Sequence, residues 1–308
     1  MHMADALLSP GVGLAMWGVA GTALAVAARH VRELGDDRLV PLMGMLGAFV
    51  FAAQMVNFTI PATGSSGHLG GGLLLAILLG PHAAFVVIAS VLTVQALFFA
   101  DGGLLALGAN LFNLGALPCF LAYLLLYRPL AGATPTPRRA TIAAVVAAVL
   151  GLQLGALGVV LQTTLSGISS LPTVTFLALM LPIHAAIGVV EGLATAAIVL
   201  FLCRARPDLL AGAPAANPSP RALLATLVVA ALFTASVLSW FASTRPDGLE
   251  WSVARAAGHA DTSAQTTASA AWPAVDAATS LAGVGGGAIT LALVLAVGFA
   301  LRRRRARV

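Results

Sequence analysis

The first two residues, Met1 and His2, carry the most specific chemistry in this sequence. A chain that begins X-His offers three nitrogen donors: the terminal amine, the amide nitrogen of residue two, and Nδ1 of its imidazole. These atoms close a five-membered and a six-membered chelate ring around one metal ion. Because the amide has to lose its proton, only strongly binding late metals enforce this arrangement, and the nitrogen donors favour square-planar Ni(II) or Cu(II). One coordination position is left for a partner that the fold supplies.

His68 is the candidate for that remaining position. It lies in a polar, glycine-rich stretch at residues 59–72 that reads TIPATGSSGHLGGG. Glycine at this density disfavours a helix and permits close backbone approach, so we expect a loop. An exposed, inert His2 is the default interpretation of that residue alone, and His68 alone is equally well explained by hydrogen bonding within its loop. If Met1, His2 and His68 lie on the same side of a membrane, they could together bind one metal ion, and this is the hypothesis that the sequence supports.

The composition predicts the surroundings of these residues. Of 308 residues, 59% are hydrophobic and 9% are charged, whereas a soluble domain carries about 25% charged residues. Apolar runs approach the roughly 20 residues that cross a bilayer as a helix, and the alternating ten-residue strands of a membrane barrel are absent. We therefore predict an all-α polytopic membrane protein in the lipid bilayer. All sixteen basic residues are arginines in short clusters between apolar runs, which indicates membrane topology and no nucleic-acid partner.

The apolar runs cover residues 11–28, 40–58, 73–99, 104–126, 142–161, 175–202, 222–241 and 288–301. Gly80-Pro81 interrupts the third run, which we divide into a short segment and a full span. The predicted fold is a seven-helix bundle at residues 1–203, a Pro/Ala/Gly-rich cytoplasmic linker at 204–221, and two further transmembrane helices around an extracytoplasmic loop at 222–308.

The arginine clusters predict the orientation of the chain. The tail at 302–307 and the earlier clusters fall on one side, which the positive-inside rule makes cytoplasmic. Placing Arg29 there as well requires an even number of crossings between residues 59 and 101, although residues 69–82 could instead be re-entrant. The N-terminus and the loop at 59–72 then face outward from the cytoplasmic (inner) membrane. Without a basic n-region or a cleavage site, Met1 is expected to remain the first residue.

Motifs for soluble catalysis are absent from the sequence. There is no GxxxxGK[ST] loop, no HExxH and no GxSxG elbow. We therefore expect that this chain does not hydrolyse ATP alone and is not an enzyme. We also expect no bound organic cofactor. His184 and Glu191 share one helix face, and a buried hydrogen-bonded pair and a role in metal transit or coupling both stay open. Asn110 and Asn113 are expected to join neighbouring helices.

Other polar residues have simpler expected roles. Gln54 and Asn57 stand near the outer end of the second span, where they support the loop or orient a metal-bound histidine. Asp247 and Glu250 could attract cations, but a turn at residues 246–248 is the simpler explanation. Three further histidines are expected to be solvated or distant from the loop: His30, His82 and His259.

Three segments resemble one family. The start MHMADALLSP, residues 57–81 (NFTIPATGSSGHLGGGLLLAILLGP) and residues 184–192 (HAAIGVVEG) are similar to the CbiM/NikM family. Members are substrate-binding membrane subunits of energy-coupling-factor transporters for cobalt and nickel, and the resemblance covers residues 1–202. RPDGLE at residues 245–250 resembles the signature of the small NikN-type subunit. The chain thus resembles an M-N fusion.

The resemblance implies a role in uptake. It implies a seven-helix M part, a planar four-nitrogen site from Met1, His2 and His68, and transported Ni(II) or Co(II), with nickel first. It also implies partners: a transmembrane coupling subunit and ABC-type ATPase subunits. The family commonly continues its initial Met-His with Ile-Pro-Asp-Gly-Phe, whereas residues 3–7 here are Met-Ala-Asp-Ala-Leu. This departure leaves the ligands intact but removes the basis for assigning supporting roles to those positions.

Two other classes of function compete with this one. A self-sufficient carrier driven by an ion gradient would use His184 and Glu191 as a proton relay. A membrane metalloenzyme is the weaker alternative, because an open metal site would need a general base that the sequence does not identify.

Overall fold

The computed structural model describes residues 1–36, 38–205, 220–258 and 277–305. This part of the chain contains ten helices and a small β-hairpin; the fifth helix begins and ends as an α-helix and is a π-helix at Leu111–Tyr127. The helices are α1 (Pro10–Leu34), α2 (Leu39–Gln54), α3 (Gly72–Leu79), α4 (Pro81–Phe98), α5 (Leu107–Ala131), α6 (Pro137–Ser166), α7 (Thr173–Ala205), α8 (Pro220–Ser236), α9 (Gly248–Ala256) and α10 (Ala277–Arg305). The strands are β1 (Phe58–Ile60) and β2 (Ser65–Gly67), which pair antiparallel with Phe58 opposite Gly67. Residues 206–219 of the predicted linker, His259 and residues 306–308 lie outside the described part.

Six of the described helices are long and apolar enough to cross a membrane: α1, α4, α5, α6, α7 and α10. Two further apolar helical stretches, α2 and residues 225–241, are shorter. At 1.5 Å per residue the sixteen residues of α2 extend about 24 Å. The prediction of an all-α, multi-pass membrane protein is confirmed, while the count of seven plus two crossings stays a prediction.

The helix break at Gly80-Pro81 occurs where the sequence predicts it. α3 ends at Leu79, Gly80 has a φ of 80°, and α4 starts at Pro81, where proline is tolerated because that N–H has no helical partner. With eight residues α3 extends about 12 Å and cannot by itself cross a hydrocarbon core of about 30 Å. All its residues are buried. It is a half-helix surrounded by protein. Irregular backbone next to such a helix is tolerated within a membrane only where protein or a cavity shields it from lipid.

The predicted loop at residues 59–72 contains more structure than the sequence indicates. Residues 58–67 form the β1–β2 hairpin, and residues 68–71, which include His68, stay irregular before α3 begins at Gly72. The strands have three residues each, which is too short for an alternating apolar pattern to be recognisable.

The C-terminal helices pack onto the bundle through α2. α8 and α10 both contact α2, and α10 approaches the glycine positions of α2 closely. A Cβ built on Gly44 would lie 2.9 Å from Leu291, and one on Gly47 would lie 3.3 Å from Val294. The residues after the linker are therefore in direct contact with the first part of the chain.

Candidate metal centre

The N-terminal segment folds back into the helix bundle. Met1 is 5% exposed, Met3 is fully buried and Leu8 is 1% exposed, so the apolar side chains of this segment belong to the core. The backbone of Met3 is held from two sides: its N–H donates to Asn110 Oδ1 at 2.8 Å, and its carbonyl accepts from the Gly103 N–H at 2.9 Å. A 3₁₀ turn at Asp5–Leu7 follows, where Asp5 accepts a hydrogen bond from the Ala106 N–H.

Met1, His2 and His68 lie next to one another. The amine nitrogen of Met1 is 3.3 Å from Nε2 of His68. The imidazoles of His2 and His68 are stacked, with centroids 5.1 Å apart and planes inclined by 13°. The residues that the chelate argument selects from sequence positions 1, 2 and 68 therefore meet in the folded chain.

The hydrogen bonding of His68 determines which nitrogen carries its proton. Nδ1 lies 3.1 Å from the carbonyl oxygen of Leu69, and a carbonyl can only accept, so Nδ1 is the protonated nitrogen of the neutral ring. The lone pair is then on Nε2, which faces the amine of Met1. A backbone carbonyl that fixes the tautomer in this way is a common support of metal-binding histidines.

The environment of His68 keeps its ring neutral. Burial first, and then the positive amine of Met1 and the ring of His2, lower the pKa of His68 to about 3. At neutral pH the imidazole therefore has a free lone pair, which is the form that binds metals.

His2 is engaged by a residue that the sequence argument missed. Its Nδ1 lies 3.1 Å from Oδ1 of Asp101, a half-exposed carboxylate in the connection between α4 and α5. Its Nε2 is buried and has no hydrogen-bond partner among the described residues. The chelate hypothesis uses Nδ1, so a metal would compete with Asp101 for this nitrogen, or the ring would rotate and present Nε2–H to the carboxylate. No sequence signal places residue 101 beside residue 2.

The glycines after His68 are fixed by a carboxylate from α7. Glu191 accepts hydrogen bonds from the N–H groups of Gly70 at 3.2 Å and of Gly71 at 3.1 Å. A Cβ on Gly70 would lie 3.0 Å from the nearer carboxylate oxygen, and Gly71 has a φ of 76°, which only glycine adopts without strain. The glycine-rich sequence is thus required by the close approach of Glu191.

A pair of glutamines holds the same loop from the other side. Gln54 donates to the carbonyl of Gly70 at 2.7 Å, and Gln95 donates to Gln54 at 2.8 Å. Support of the loop, the expected role of Gln54, is what the structure shows. The Asn57 carbonyl instead accepts from the N–H of Ser243 at 2.7 Å.

Of the remaining polar residues, some join neighbouring helices and others make contacts away from Met1, His2 and His68. Asn113 donates to Gln162 at 2.7 Å and so joins α5 to α6, as predicted. Nδ1 of His184 lies 2.8 Å from the Met180 carbonyl oxygen. Its buried Nε2 has no hydrogen-bond partner among the described residues. His30, expected to be solvated, stacks on His82 with centroids 3.9 Å apart.

The C-terminal part of the chain also reaches this centre. Oδ2 of Asp247 lies 2.6 Å from the amine of Met1. The turn expected at residues 246–248 is instead the start of α9, where Asp247 is the N-cap in a capping box with Glu250. Burial opposes the charged form of Asp247, but the amine and the hydrogen bonds outweigh it and hold the pKa of this carboxyl well below its usual range.

A cavity of about 340 Å³ adjoins the centre. Its lining includes His2, His68, Asp101, Asp247 and Glu250, so both imidazoles and three carboxylates border the same space. A hydrated cation can be accommodated there before it sheds its water.

A metal site at this position would depend on backbone nitrogen. Among the described residues, no three His, Cys, Asp or Glu side chains are grouped so that they could hold a metal ion. Metal–nitrogen bonds of about 2 Å, as for imidazole on zinc, separate neighbouring donors in a square by about 2.8 Å. The 3.3 Å between the Met1 amine and His68 Nε2 is close to this spacing.

Comparison with known proteins places the chain in a family. A family profile described as the cobalt uptake substrate-specific transmembrane region, CbiM, matches residues 2–209, and the PDGLE domain profile matches residues 221–274. The cobalt transport protein CbiM of Geobacter sulfurreducens is 33% identical over 246 residues, which are 76% of this chain and 69% of that protein. The fused nickel transport protein NikMN of Rhodobacter capsulatus is 33% identical over 234 residues, which are 70% of this chain and 66% of that protein.

A solved structure supports the same assignment. The fold is similar to the crystal structure of a truncated transition metal transporter, with a TM-score of 0.58 and 30% sequence identity, over 66% of this chain and 99% of the other. The family match covers about two thirds of the sequence, and the family resemblance predicted from residues 1–202 is confirmed. The chain belongs to the CbiM family and carries a PDGLE domain after it.

Proposed function

We propose that this protein captures Ni(II) on the outer side of the cytoplasmic membrane, as the substrate-binding subunit of an energy-coupling-factor importer. The observation that carries the proposal is the buried amine of Met1, 3.3 Å from the free lone pair of His68 Nε2. The Met1 amine and the His68 imidazole are both removed from solvent. Together with the two nitrogens of His2, they complete a set of four nitrogen donors. The metal is the transported substrate, and no organic cofactor is needed.

The four proposed donors are the amine of Met1, the amide nitrogen and Nδ1 of His2, and Nε2 of His68. In this arrangement His68 is adjacent to the amine and opposite the amide, which agrees with its short distance from the amine. The imidazoles are stacked and nearly parallel, so the rings have to move before both can donate to one ion. The largest change is at His2, whose Nδ1 has to leave Asp101.

Nickel is favoured by the donor set. Four nitrogens in a plane, one of them a deprotonated amide, suit low-spin Ni(II). The NikMN relative is named for nickel and the CbiM relative for cobalt, so Co(II) is the alternative substrate. Copper binds such donors more tightly by the Irving–Williams order, and selectivity against it would come from its availability and oxidation state.

Energy for release has to come from other subunits. The sequence contains no nucleotide-binding loop, so a transmembrane coupling subunit and ABC-type ATPases would drive the inward step. In the proposed topology the N-terminus and the β1–β2 hairpin face outward, and the C-terminal arginines face the cytoplasm. Residues 1–203 would form the metal-binding domain, and residues 222–308, after the linker, a PDGLE domain with two membrane helices.

The direct test is nickel binding by purified protein that begins at Met1. After removal of metal, equilibrium competition with a coloured chelator measures affinity, and elemental analysis measures stoichiometry. We expect one Ni(II) per chain with the visible absorption of a square-planar nitrogen complex. His2→Gln and His68→Ala should both abolish this complex. Glutamine at position 2 preserves a large residue after Met1, so that the first methionine is retained.

His82→Ala is the matched control. It removes an imidazole that stacks on His30 instead of contacting the Met1 centre, and we expect wild-type affinity. Wild-type affinity in His2→Gln or His68→Ala would contradict the proposed site, and equal loss in His82→Ala would show that the measurement reports general damage.

A further inference from the structure

One ion pair joins the first residue of the chain to Asp247, in the segment that follows the apolar run at residues 222–241. The amine of Met1 and Oδ2 of Asp247 are 2.6 Å apart across 246 positions of sequence. The Asp247 side chain is 16% exposed, so this pair is largely removed from water, where such contacts are strongest. The partner of the N-terminal amine is therefore supplied by the C-terminal part of the protein.

The Asp247 carboxylate is held in a fixed orientation. Its Oδ1 accepts the N–H of Glu250 at 2.8 Å, and the Glu250 side chain accepts the N–H of Asp247 at 3.1 Å. This reciprocal capping box starts α9. One carboxylate oxygen is thus used by the helix, and the other is directed at the amine.

The backbone around Asp247 is attached to the hairpin that carries His68. Ser66 donates its N–H to the Pro246 carbonyl at 2.8 Å and its hydroxyl to the Arg245 carbonyl at 2.7 Å. These bonds extend β2 by a short parallel bridge, two residues before His68. The amine and the imidazole are therefore positioned by the same few residues.

The glycine and leucine of the PDGLE sequence complete this attachment. A Cβ on Gly248 would lie 3.0 Å from Ile187 and 3.2 Å from Cε1 of His184, so a larger residue would press against α7. Leu249 is buried beside it. Gly248 and Leu249 are therefore packed at the start of α9, next to the Asp247 carboxylate that pairs with the Met1 amine.

We propose that Asp247 is a positioning residue of the metal centre, whose carboxylate holds the Met1 amine in the place where it binds the metal beside His68. This inference rests on the proposed function, because it requires the amine to be a ligand. A coordinated amine keeps two N–H bonds, and one of them continues to donate to Oδ2 while the lone pair faces the metal. Asp247 itself does not coordinate.

Charge compensation gives the carboxylate a second effect. A divalent ion with one deprotonated amide leaves a net charge of +1 on the complex, and a buried charge without a counter-charge is costly. Asp247 supplies a negative charge next to the amine. The PDGLE segment therefore contributes to metal affinity from outside the residues that the CbiM profile matches.

The test uses the full chain beginning at Met1, with Ni(II) alone as the probe and a coloured chelator as competitor. Asp247→Asn and Asp247→Ser keep a good helix N-cap but remove the carboxylate. We expect a loss of nickel affinity of about 10- to 100-fold, the usual effect of removing a partner of a metal ligand. The visible spectrum of the bound Ni(II) should stay that of wild type, because the donor atoms are the same. Two variants are used so that one suffices if the other does not fold.

Glu33→Gln is the charge-matched control, because Glu33 is an exposed carboxylate on α1 that pairs with Arg29. It should bind nickel as wild type does. Wild-type affinity in both Asp247 variants, together with loss in His2→Gln and His68→Ala, would overturn this inference and leave the proposed site intact. A changed nickel spectrum in the Asp247 variants would also overturn it, since Asp247 would then be a ligand. Failure of wild type to bind nickel would overturn the proposed function and this inference with it.

Discussion

Met3 and Asn110 are joined by two reciprocal hydrogen bonds, in which the Asn110 side-chain amide pairs with the Met3 backbone as a neighbouring β-strand would. The Met3 N–H donates to Oδ1 of Asn110 at 2.8 Å, and Nδ2 of Asn110 donates to the Met3 carbonyl at 3.1 Å. Both residues are buried. Because Met3 is only two positions from the terminal amine, this pair determines how far Met1 and His2 extend into the bundle.

Replacement of Asn110 by leucine should therefore weaken nickel binding. The substitution keeps the approximate volume but leaves the buried N–H of Met3 without this partner, at a cost of about 1–3 kcal/mol, while the Met3 carbonyl keeps its hydrogen bond from the Gly103 N–H. The N-terminal segment will shift or detach to regain hydrogen bonds with water. We expect nickel affinity to fall at least about tenfold, a change of 1.4 kcal/mol, as measured by chelator competition.

Asn113→Leu provides the comparison on the same helix. Asn113 is equally buried and pairs with Gln162 on α6, and its Nδ2 lies 3.8 Å from Sδ of Met3, whereas Asn110 holds the Met3 backbone. Its loss should therefore lower thermal stability but reduce nickel affinity less than Asn110→Leu does. If the two variants lose affinity equally, the Asn110 effect is general destabilisation and the anchoring argument is wrong.

The same two asparagines show what the sequence can and cannot reveal. Asn113 joins neighbouring helices as its helical position predicts, since polar residues inside membrane helices seek partners on adjacent helices. Asn110 was given the same role, but its partner is the backbone of a segment 107 positions away. Backbone acceptors carry no sequence signal, so no pattern could distinguish these two roles.

The centre itself was predictable only as far as its chemistry is local. Met1 and His2 are identified by their position at the chain start, and His68 by its glycine-rich surroundings. Asp101 and Asp247 complete the environment from connections between helices, and neither has a neighbouring pattern that specifies its partner. Helix spans and the break at Gly80 follow from apolar runs and proline chemistry, which act within one turn of helix.

Glu191→Gln should loosen the glycine loop. The carboxylate accepts from two N–H groups, those of Gly70 and Gly71, whereas an amide has one oxygen and would direct its own N–H₂ at a donor. One loop hydrogen bond is lost, at about 1–3 kcal/mol. We expect faster hydrogen exchange in peptides covering residues 58–72 and weaker nickel binding.

This variant also separates the importer subunit from the gradient-driven carrier. In a carrier that relays protons through Glu191, the glutamine variant would bind nickel normally but would not transport it. Normal affinity together with unchanged loop exchange would contradict the structural role argued for Glu191.

Gly70→Ala tests the same contact from the loop side. The added Cβ would lie 3.0 Å and 3.2 Å from the two oxygens of Glu191, so the carboxylate and the loop that it holds have to separate by a few tenths of an ångström. We expect this separation to weaken the hold on the loop and to displace His68. We expect reduced nickel affinity with an unchanged helix content by circular dichroism. Gly11→Ala is the control, because a Cβ there meets no described atom within 4 Å. Equal affinities of the two variants would show that the loop tolerates the displacement.

Acetylation of the terminal amine is the sharpest test of the chelate. The sequence contains no lysine, so the amine of Met1 is the one primary amine that an acylating reagent finds in this chain. An acetylated nitrogen has no available lone pair, and its added group would occupy the space between His68 and Asp247, which lie 3.3 Å and 2.6 Å from that atom. We expect acetylated protein to lose square-planar nickel binding, and bound Ni(II) to protect the amine from the reagent, both measured by mass spectrometry and absorption.

Addition of one residue is a poor substitute, because a histidine third from the terminus forms a four-nitrogen chelate of its own and no longer needs His68. Retained nickel binding after complete acetylation would show that the free amine is dispensable, and the metal would then have to be held by other donors.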